Sequence, residues 1–404
     1  MGMSDAGLSK ARLGRMHDVM AGYAERGDIP GLVTLVSRRG EVHVDAIGRK
    51  SLDGDDPVTH GTIFRIASLS KPITAAAAMI LVEECKLRLD DAVDEFMPEL
   101  SNRKVIKSLD GPIDDTVPAN RPISVRDLLT FRMGIGLVFA APDTYPIQKA
   151  MTELLDEGPP NPDHKPTPDE WIRRLGTLPL VHQPGESWMY NTGSDVLGVL
   201  IARVAGQPLE TFLRDRIFEP LGMKDTAFSV PADKIDRLAT GYSIDLKEGG
   251  LQVSDPAVGG QWSRPPAFPS GGGGLVSTID DYFAFAQMLR NHGKHGTTRI
   301  LSRPSVETMT IDQLTPEQKA ASAWLDGWFE TRGWGFGMSV VTRRDEIARS
   351  VGTYGWDGGS GTTWYSDPQE DMVTILMTQV AWTSPNPPNV TKDFLTSAYQ
   401  AIDD

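Results

Sequence analysis

Cysteine is almost absent. A single residue, Cys85, occurs in 404, which excludes an intramolecular disulfide and any cysteine-based zinc site. Its place where a helix ends, in Glu83-Glu84-Cys85-Lys86, predicts a partly buried bystander. Histidine is scarce too. The seven present show no ligand spacing, and His292 and His295 fall in a glycine-flanked stretch that reads as a solvated surface turn. Phosphate loop, His-Glu-x-x-His helix and calcium loop are all missing, so neither a metal nor a cofactor is expected. Positive charge is in deficit: 40 Lys and Arg against 54 Asp and Glu leave a net charge of −14. That balance argues against nucleic acid and anionic membrane as partners. Near the N-terminus no long apolar run exists, because Asp5, Lys10, Arg12, Arg15 and Asp18 interrupt it. No signal peptide or membrane span is expected there, and the reading is a cytoplasmic protein. Gly-x-Ser-x-Gly is also absent, which argues against a lipase-type nucleophile elbow.

What is present is ordinary globular composition, 40% hydrophobic and 23% charged, long enough for a large core and about two or three domain-sized units. One stretch organises the rest. The apolar run Thr62-Ile63-Phe64-Arg65-Ile66-Ala67 ends at Ser68-Leu69-Ser70-Lys71-Pro72, and an alanine-rich segment, Ala75 to Ala78, continues to Val82. This predicts a short buried strand feeding a long buried helix. Pro72 marks the helix's first turn, where a missing amide hydrogen is tolerated. Ser68 then lies at the helix entrance, beside free backbone amides and the positive end of the dipole. Lys71 follows three residues later and can fold back onto the hydroxyl. A hydroxyl, an amine one turn on and unpaired amides are the parts of a serine acyl-transfer site. The pattern alone fits a well-capped core helix equally well. Ser-x-x-Lys also recurs at Ser101-Asn102-Arg103-Lys104, in a polar stretch that reads as a solvated loop.

Elsewhere the pattern is mixed. Helical spacing predicts an amphipathic helix from about Leu8 to Ala24, followed by a hairpin of Leu32 to Ser37 and Glu41 to Ile47. From about 92 to 225 strand signals thin out. Short helices are predicted at Val125 to Phe131, Pro168 to Leu175, Ser194 to Val204 and Pro208 to Phe218. Between them Glu157 to Asp163 is a loop by composition. Leu275 to Thr278 and a helix from Asp280 to Leu289 follow. Antiparallel strands are expected at Gly335 to Thr342, Thr362 to Ser366 and Met372 to Val380, then a closing helix from about Thr391 to Ile402. The fold class is α/β: residues 1–91 and 226–404 form one α/β domain, and 92–225 a mostly helical insert.

A serine–lysine pair needs help. An ordinary lysine has a pKa of about 10.4, so roughly one in 2,500 is neutral at pH 7; moving it to about 7–8 takes near 4 kcal/mol. Pro184-Gly185-Glu186-Ser187-Trp188-Met189-Tyr190-Asn191 offers a candidate, since a turn followed by aromatics would aim the Tyr190 phenol into a cleft. The bland alternative is a tyrosine packing a loop. A third stretch, Gly355-Trp356-Asp357-Gly358-Gly359-Ser360-Gly361, has glycines dense enough for a ligand to approach a strand edge, or for a flexible turn.

Three elements in this order resemble the serine β-lactamase and penicillin-binding-protein superfamily. Ser68-x-x-Lys71 is similar to its first motif, Tyr190-Asn191 to its Tyr-x-Asn motif, and Trp356-Asp357-Gly358 stands where β-lactamases carry Lys-Thr-Gly. Phe218 to Thr226 and Ser270 to Leu275 resemble segments of the class C branch, and the tryptophan-led third motif resembles the family VIII carboxylesterases. The resemblance implies a β-lactamase-like α/β/α domain with an antiparallel sheet, a helical insert, and an active site at their interface. It implies Ser68 as nucleophile, Lys71 and Tyr190 sharing base and acid duties, and the amides of Ser68 and Gly359 as oxyanion hole. Trp356, Asp357, Gly358 and Asn191 would meet the substrate, a small-molecule ester. Two departures stand out: no Lys-[Ser/Thr]-Gly occurs, and Tyr190-Asn191-Thr192 has its asparagine one position early or replaced by Thr192. The rivals are an acyltransferase using the same acyl-enzyme, then a β-lactamase or D-amino peptidase, and last a non-catalytic binding module. Keeping serine, lysine and tyrosine together argues against that last one.

Overall fold

A computed structural model describes residues 7–156, 162, 165–322 and 325–404. Seven antiparallel strands form the main sheet. They are β1 (Gly31–Arg38), β2 (Glu41–Gly48), β3 (Arg332–Trp334), β4 (Ser339–Val341), β5 (Tyr354–Gly358), β6 (Thr362–Asp367) and β7 (Met372–Thr378), in the spatial order β3-β4-β5-β6-β7-β1-β2. The N-terminal hairpin thus closes onto the last strand, with Leu35 opposite Ile375. All residues of β1 and β7 are buried because helices cover both faces.

Strand alternation sorts the side chains. Leu32, Val36, Tyr365, Met372 and Leu376 face α1 (Lys10–Glu25) and α5 (Asn389–Gln400). Val33, Leu35, Trp364, Val373 and Ile375 face the larger core with α2 (Ser70–Glu83), α3 (Thr192–Ala205) and α4 (Ile279–Arg290). That core runs on without a break through Leu128, Trp171, Leu200 and Phe212 of the helical stretch. Helix α2 is apolar nearly all round, as a helix enclosed by protein should be. Its run Ala75 to Ala78 lets neighbouring helices approach closely.

Several local expectations change. Cys85 is exposed, at φ 57° in the turn after α2; the charged residues flanking it carry the chain out to solvent. The strand expected over Gly335 to Thr342 shortens to β4, and β3 precedes it unexpected, because Gly337, at φ 71°, turns between the two. A methyl at Gly337 would stand 2.8 Å from the Lys71 carbonyl oxygen, so glycine lets this turn press against α2. Lys104 opens a short strand, Lys104–Ile106, paired with Thr116–Pro118, while the Ser101 hydroxyl donates to the Pro98 carbonyl at 2.7 Å. The stretch from Pro208 to Phe218 starts as Leu209–Leu213 and continues as a wider π-turn over Arg214–Phe218. A further helix, Pro146–Leu155, had no counterpart in the sequence reading. The loop expected at Glu157 to Asp163 lies outside the described residues apart from Pro162.

Candidate active site

Ser68 sits in a tight 3-10 turn, Ala67–Leu69, leading directly into α2. Ala67 takes φ 41°, a left-handed conformation costing about 1–3 kcal/mol for a residue with a Cβ. Its surroundings hold it there. The Ile66 amide donates to the Leu275 carbonyl at 3.0 Å, Thr362 Oγ1 donates to the Ile66 carbonyl at 3.2 Å, and Tyr282 OH donates to the Leu69 carbonyl at 3.0 Å. Upstream, Phe64–Arg65 pairs with Val276–Ser277. The buried Arg65 clamps the buried Asp255 through Nε at 2.7 Å. The position of Ser68 is thus fixed from both sides.

Lys71 Nζ donates to Ser68 Oγ at 2.9 Å and to the Gly272 carbonyl at 2.5 Å. The ammonium lies 4.6 Å from the centre of the Tyr190 ring. Tyr190 is reached through Trp188, whose ring is stacked on it at 5.7 Å, and Phe131 meets its edge at 5.8 Å. Its hydroxyl accepts from the Trp356 indole Nε1 at 2.7 Å and is bonded to Ser68. Burial pushes the phenol well above its ordinary pKa, against the pull of those two hydrogen bonds. The phenol is therefore neutral at ordinary pH, a proton donor first.

Ser68, Tyr190 and Trp356 line a cleft of about 1030 Å³ with Asn191, Gly359 and Ser360, at the upper end of small-molecule sites, while Lys71 is buried behind its wall. Asn191, at φ 83°, faces the cleft, whereas Thr192 is fully buried in α3 and does not line it. Apolar walls come from Leu137, Phe139, Phe268, Leu325, Trp328 and Trp356.

Two candidates are placed differently from the sequence reading. Gly358 does not line the cleft: a Cβ there would run into the Ile66 carbonyl oxygen and Thr362 Oγ1, so the glycine seats β5 against the segment that carries Ser68. Asp357 is opposite Thr363 in the β5–β6 register, and alternation turns it to the sheet face away from Trp356. Its carboxylate accepts from Thr363 Oγ1 at 2.7 Å and from Tyr365 OH at 2.8 Å. Burial raises its pKa, against the pull of Thr363 and Arg349. It borders a polar end of the cleft near Arg349 and Glu346 rather than standing beside the indole.

One feature escaped the sequence entirely. Asp195, buried in α3, accepts from Lys165 Nζ at 2.8 Å, Ser270 Oγ at 2.6 Å and the Gly272 amide at 2.9 Å. Burial favours the neutral acid, but Lys165, Ser270 and Gly272 together hold its pKa below the usual range. Among the described residues no group of three or more His, Cys, Asp or Glu could hold a metal ion.

Comparison with known proteins agrees with this architecture. The family model described as Beta-lactamase matches residues 16–393. An uncharacterised protein of Mycobacterium tuberculosis is 39% identical over 365 residues, covering 88% of this chain and 87% of that protein. Esterase EstB of Burkholderia gladioli is 30% identical over 401 residues, covering 94% and 92%. Among solved structures, EstCE1, described as a hydrolase with promiscuous acyltransferase activity, superposes with a TM-score of 0.76 at 25% identity, over 98% of this chain and 99% of that one. These likenesses support a serine hydrolase or acyltransferase of the β-lactamase and penicillin-binding-protein superfamily. With the match extending over nearly its whole length, the chain belongs to the beta-lactamase family.

Proposed function

We propose that the protein is a serine carboxylesterase, of the family VIII kind, that cleaves small neutral carboxylic esters through an acyl-enzyme on Ser68. The observation that carries this reading is the contact of Ser68 Oγ with both Lys71 Nζ and the Tyr190 hydroxyl. In the neutral amine form Lys71 takes the Ser68 proton as Oγ attacks the ester carbonyl carbon. The oxyanion forms against the amides of Ser68 and Gly359, both at the cleft. On collapse the C–O bond breaks, Tyr190 gives its proton to the departing alkoxide, and the Lys71 ammonium restores it. Water repeats the sequence in reverse, regenerating Ser68 and releasing the acid.

Trp356 supports the preference for neutral esters, because it puts an aromatic face where β-lactamases hold a lysine. Arg65, Arg332, Arg349 and Lys165, the cleft's other cations apart from Lys392, each carry an acidic partner. A second reading, acyl transfer to an alcohol, is favoured by the size of the cleft, which leaves room for an acceptor beside the acyl group. The test is labelling with a fluorophosphonate followed by mass mapping, with ester hydrolysis measured with and without added alcohol. Label on Ser68, and loss of most activity in a folded Ser68→Ala, are expected. Label on Ser101, or full activity in Ser68→Ala, defeats the reading.

A further inference from the structure

Lys71 shares its ammonium between Ser68 Oγ and the Gly272 carbonyl. What fixes Gly272 is the other side of the same peptide segment: its amide donates to Asp195 Oδ1, and Ser270, two residues earlier, donates to the same oxygen. The second carboxylate oxygen is taken by Lys165 Nζ. Asp195 is 1% exposed and Lys165 is 8% exposed. The Lys165 ammonium is further enclosed by Phe268 and Trp171, at 5.2 and 5.6 Å from their ring centres. A cation and an anion are thus buried together one peptide away from Lys71, where charge is weakly screened.

We propose that Lys165 and Asp195 are positioning residues for the acyl-transfer site, Asp195 holding the Gly272 carbonyl on Lys71 and Lys165 cancelling the field of Asp195 there. The inference rests on the reading of Lys71 as the base. Such a base must shed a proton, and an uncompensated carboxylate this close would retain it. Ser68, from its own segment, and Tyr190, from the loop before α3, also face the Lys71 ammonium, and the turn at Gly337 packs against the Lys71 backbone carbonyl. On β5, Asp357 is turned to the opposite face and held by Thr363 and Tyr365, with its charge reaching Tyr190. The Lys165–Asp195 pair is the charged couple hydrogen-bonded to the segment that holds Lys71.

Charge balance gives the two residues opposite signatures. Removing the cation in Lys165→Met leaves Asp195 to hold the Lys71 proton. Removing the anion in Asp195→Asn leaves Lys165 to repel it, while the amide oxygen can still accept from Gly272. The readout is the rate of fluorophosphonate labelling of Ser68 as a function of pH, with the label mapped in every variant. Lys165→Met is expected to move the midpoint of the acid limb upward by about one unit or more, a roughly tenfold loss at neutral pH. Asp195→Asn should move it downward, and Lys165→Arg, which keeps the charge, should restore the wild-type midpoint. Simple loosening of the structure would lower rates without opposite displacements. Unchanged midpoints in folded Lys165→Met and Asp195→Asn, or shifts of the same sign, overturn the proposal. If Asp195→Asn does not fold, Lys165→Met against Lys165→Arg decides alone. Labelling of the wild type elsewhere than at Ser68 would instead sink the acyl-enzyme reading on which the inference stands.

Discussion

The indole nitrogen of Trp356 donates to the phenolic oxygen of Tyr190 at 2.7 Å. Trp356 therefore spends its one donor on the protein, not on substrate. The bond fixes the Tyr190 oxygen beside Ser68, to which it is also hydrogen-bonded. Trp334 meets the same indole edge-on at 4.7 Å and Trp328 at 6.1 Å, which locks its plane.

Trp356→Phe keeps an apolar ring and removes only that donor. The expected result is a fall in kcat of about fivefold with little change in KM, which corresponds to one hydrogen bond of about 1 kcal/mol lost in the transition state. Steady-state kinetics on a short-chain nitrophenyl ester check it; an unchanged kcat would mean that the bond does not orient Tyr190.

Tyr190→Phe should keep the fold, since the ring remains packed among Phe131, Trp188 and Trp356, and slow the chemical step by about 10²–10⁴. The sign of the pH effect follows from burial. A phenol whose pKa is raised remains protonated from acid through neutral pH and above the ordinary tyrosine value, so its ionisation supplies no acid limb. The residual activity of Tyr190→Phe should therefore retain the wild-type acid limb. Lys71→Arg should lose that activity as thoroughly as Lys71→Ala, because a guanidinium does not become neutral. Near-normal turnover in Lys71→Arg would end the neutral-lysine mechanism.

At Gly358 the structure forecasts a folding defect. An added methyl would collide with the Ile66 backbone carbonyl, which cannot move without displacing the segment that carries Ser68, and with Thr362 Oγ1, which can rotate away only by giving up its hydrogen bond to that carbonyl. Gly358→Ala should cost about 1–3 kcal/mol or more, seen as a lower Tm. Its neighbour is the control: a methyl at Gly359 meets nothing within 4 Å. Gly359→Ala should melt as the wild type does. Equal melting temperatures for both variants would contradict the assigned packing of β5.

Much of this was readable from the chain. The Ser68 helix announced itself through Pro72 and the alanine run, the N-terminal hairpin through two β-rich runs around Arg38-Arg39-Gly40, and the closing helix through its period. Asp357 could also have been placed, since alternation on one strand forbids it from sharing a face with Trp356. The Lys165–Asp195 couple could not. The two lie 30 residues apart, and only packing of α3 against the Ser270–Gly274 segment brings the carboxylate to Gly272. The break at Gly337 was masked by strand-forming neighbours on both sides, and its cause, close approach to the Lys71 carbonyl, is a tertiary contact.

Selectivity for neutral esters over β-lactams is the remaining outcome expected of Trp356 under the proposed function. A charge-assisted hydrogen bond to a lactam carboxylate is worth about 1.5–3 kcal/mol, or roughly 10- to 150-fold in productive binding. The indole gives none of this, because its N–H is held by Tyr190. Arg332 and Arg349, at the polar end of the cleft, are paired with Asp345 and Glu346, so a carboxylate approaching them must displace one. Asp357 borders that same end and offers a carboxylate no positive charge. The expected outcome is a kcat/KM for a short-chain nitrophenyl ester far above that for a chromogenic cephalosporin. In Trp356→Lys the ester-to-cephalosporin ratio should fall. Part of that fall should come from the ester side, because a lysine loses the indole's aromatic contacts even where its ammonium reaches the Tyr190 oxygen. Comparable efficiency on both substrates in the wild type, or an unchanged ratio in Trp356→Lys, would remove Trp356 as the source of the preference.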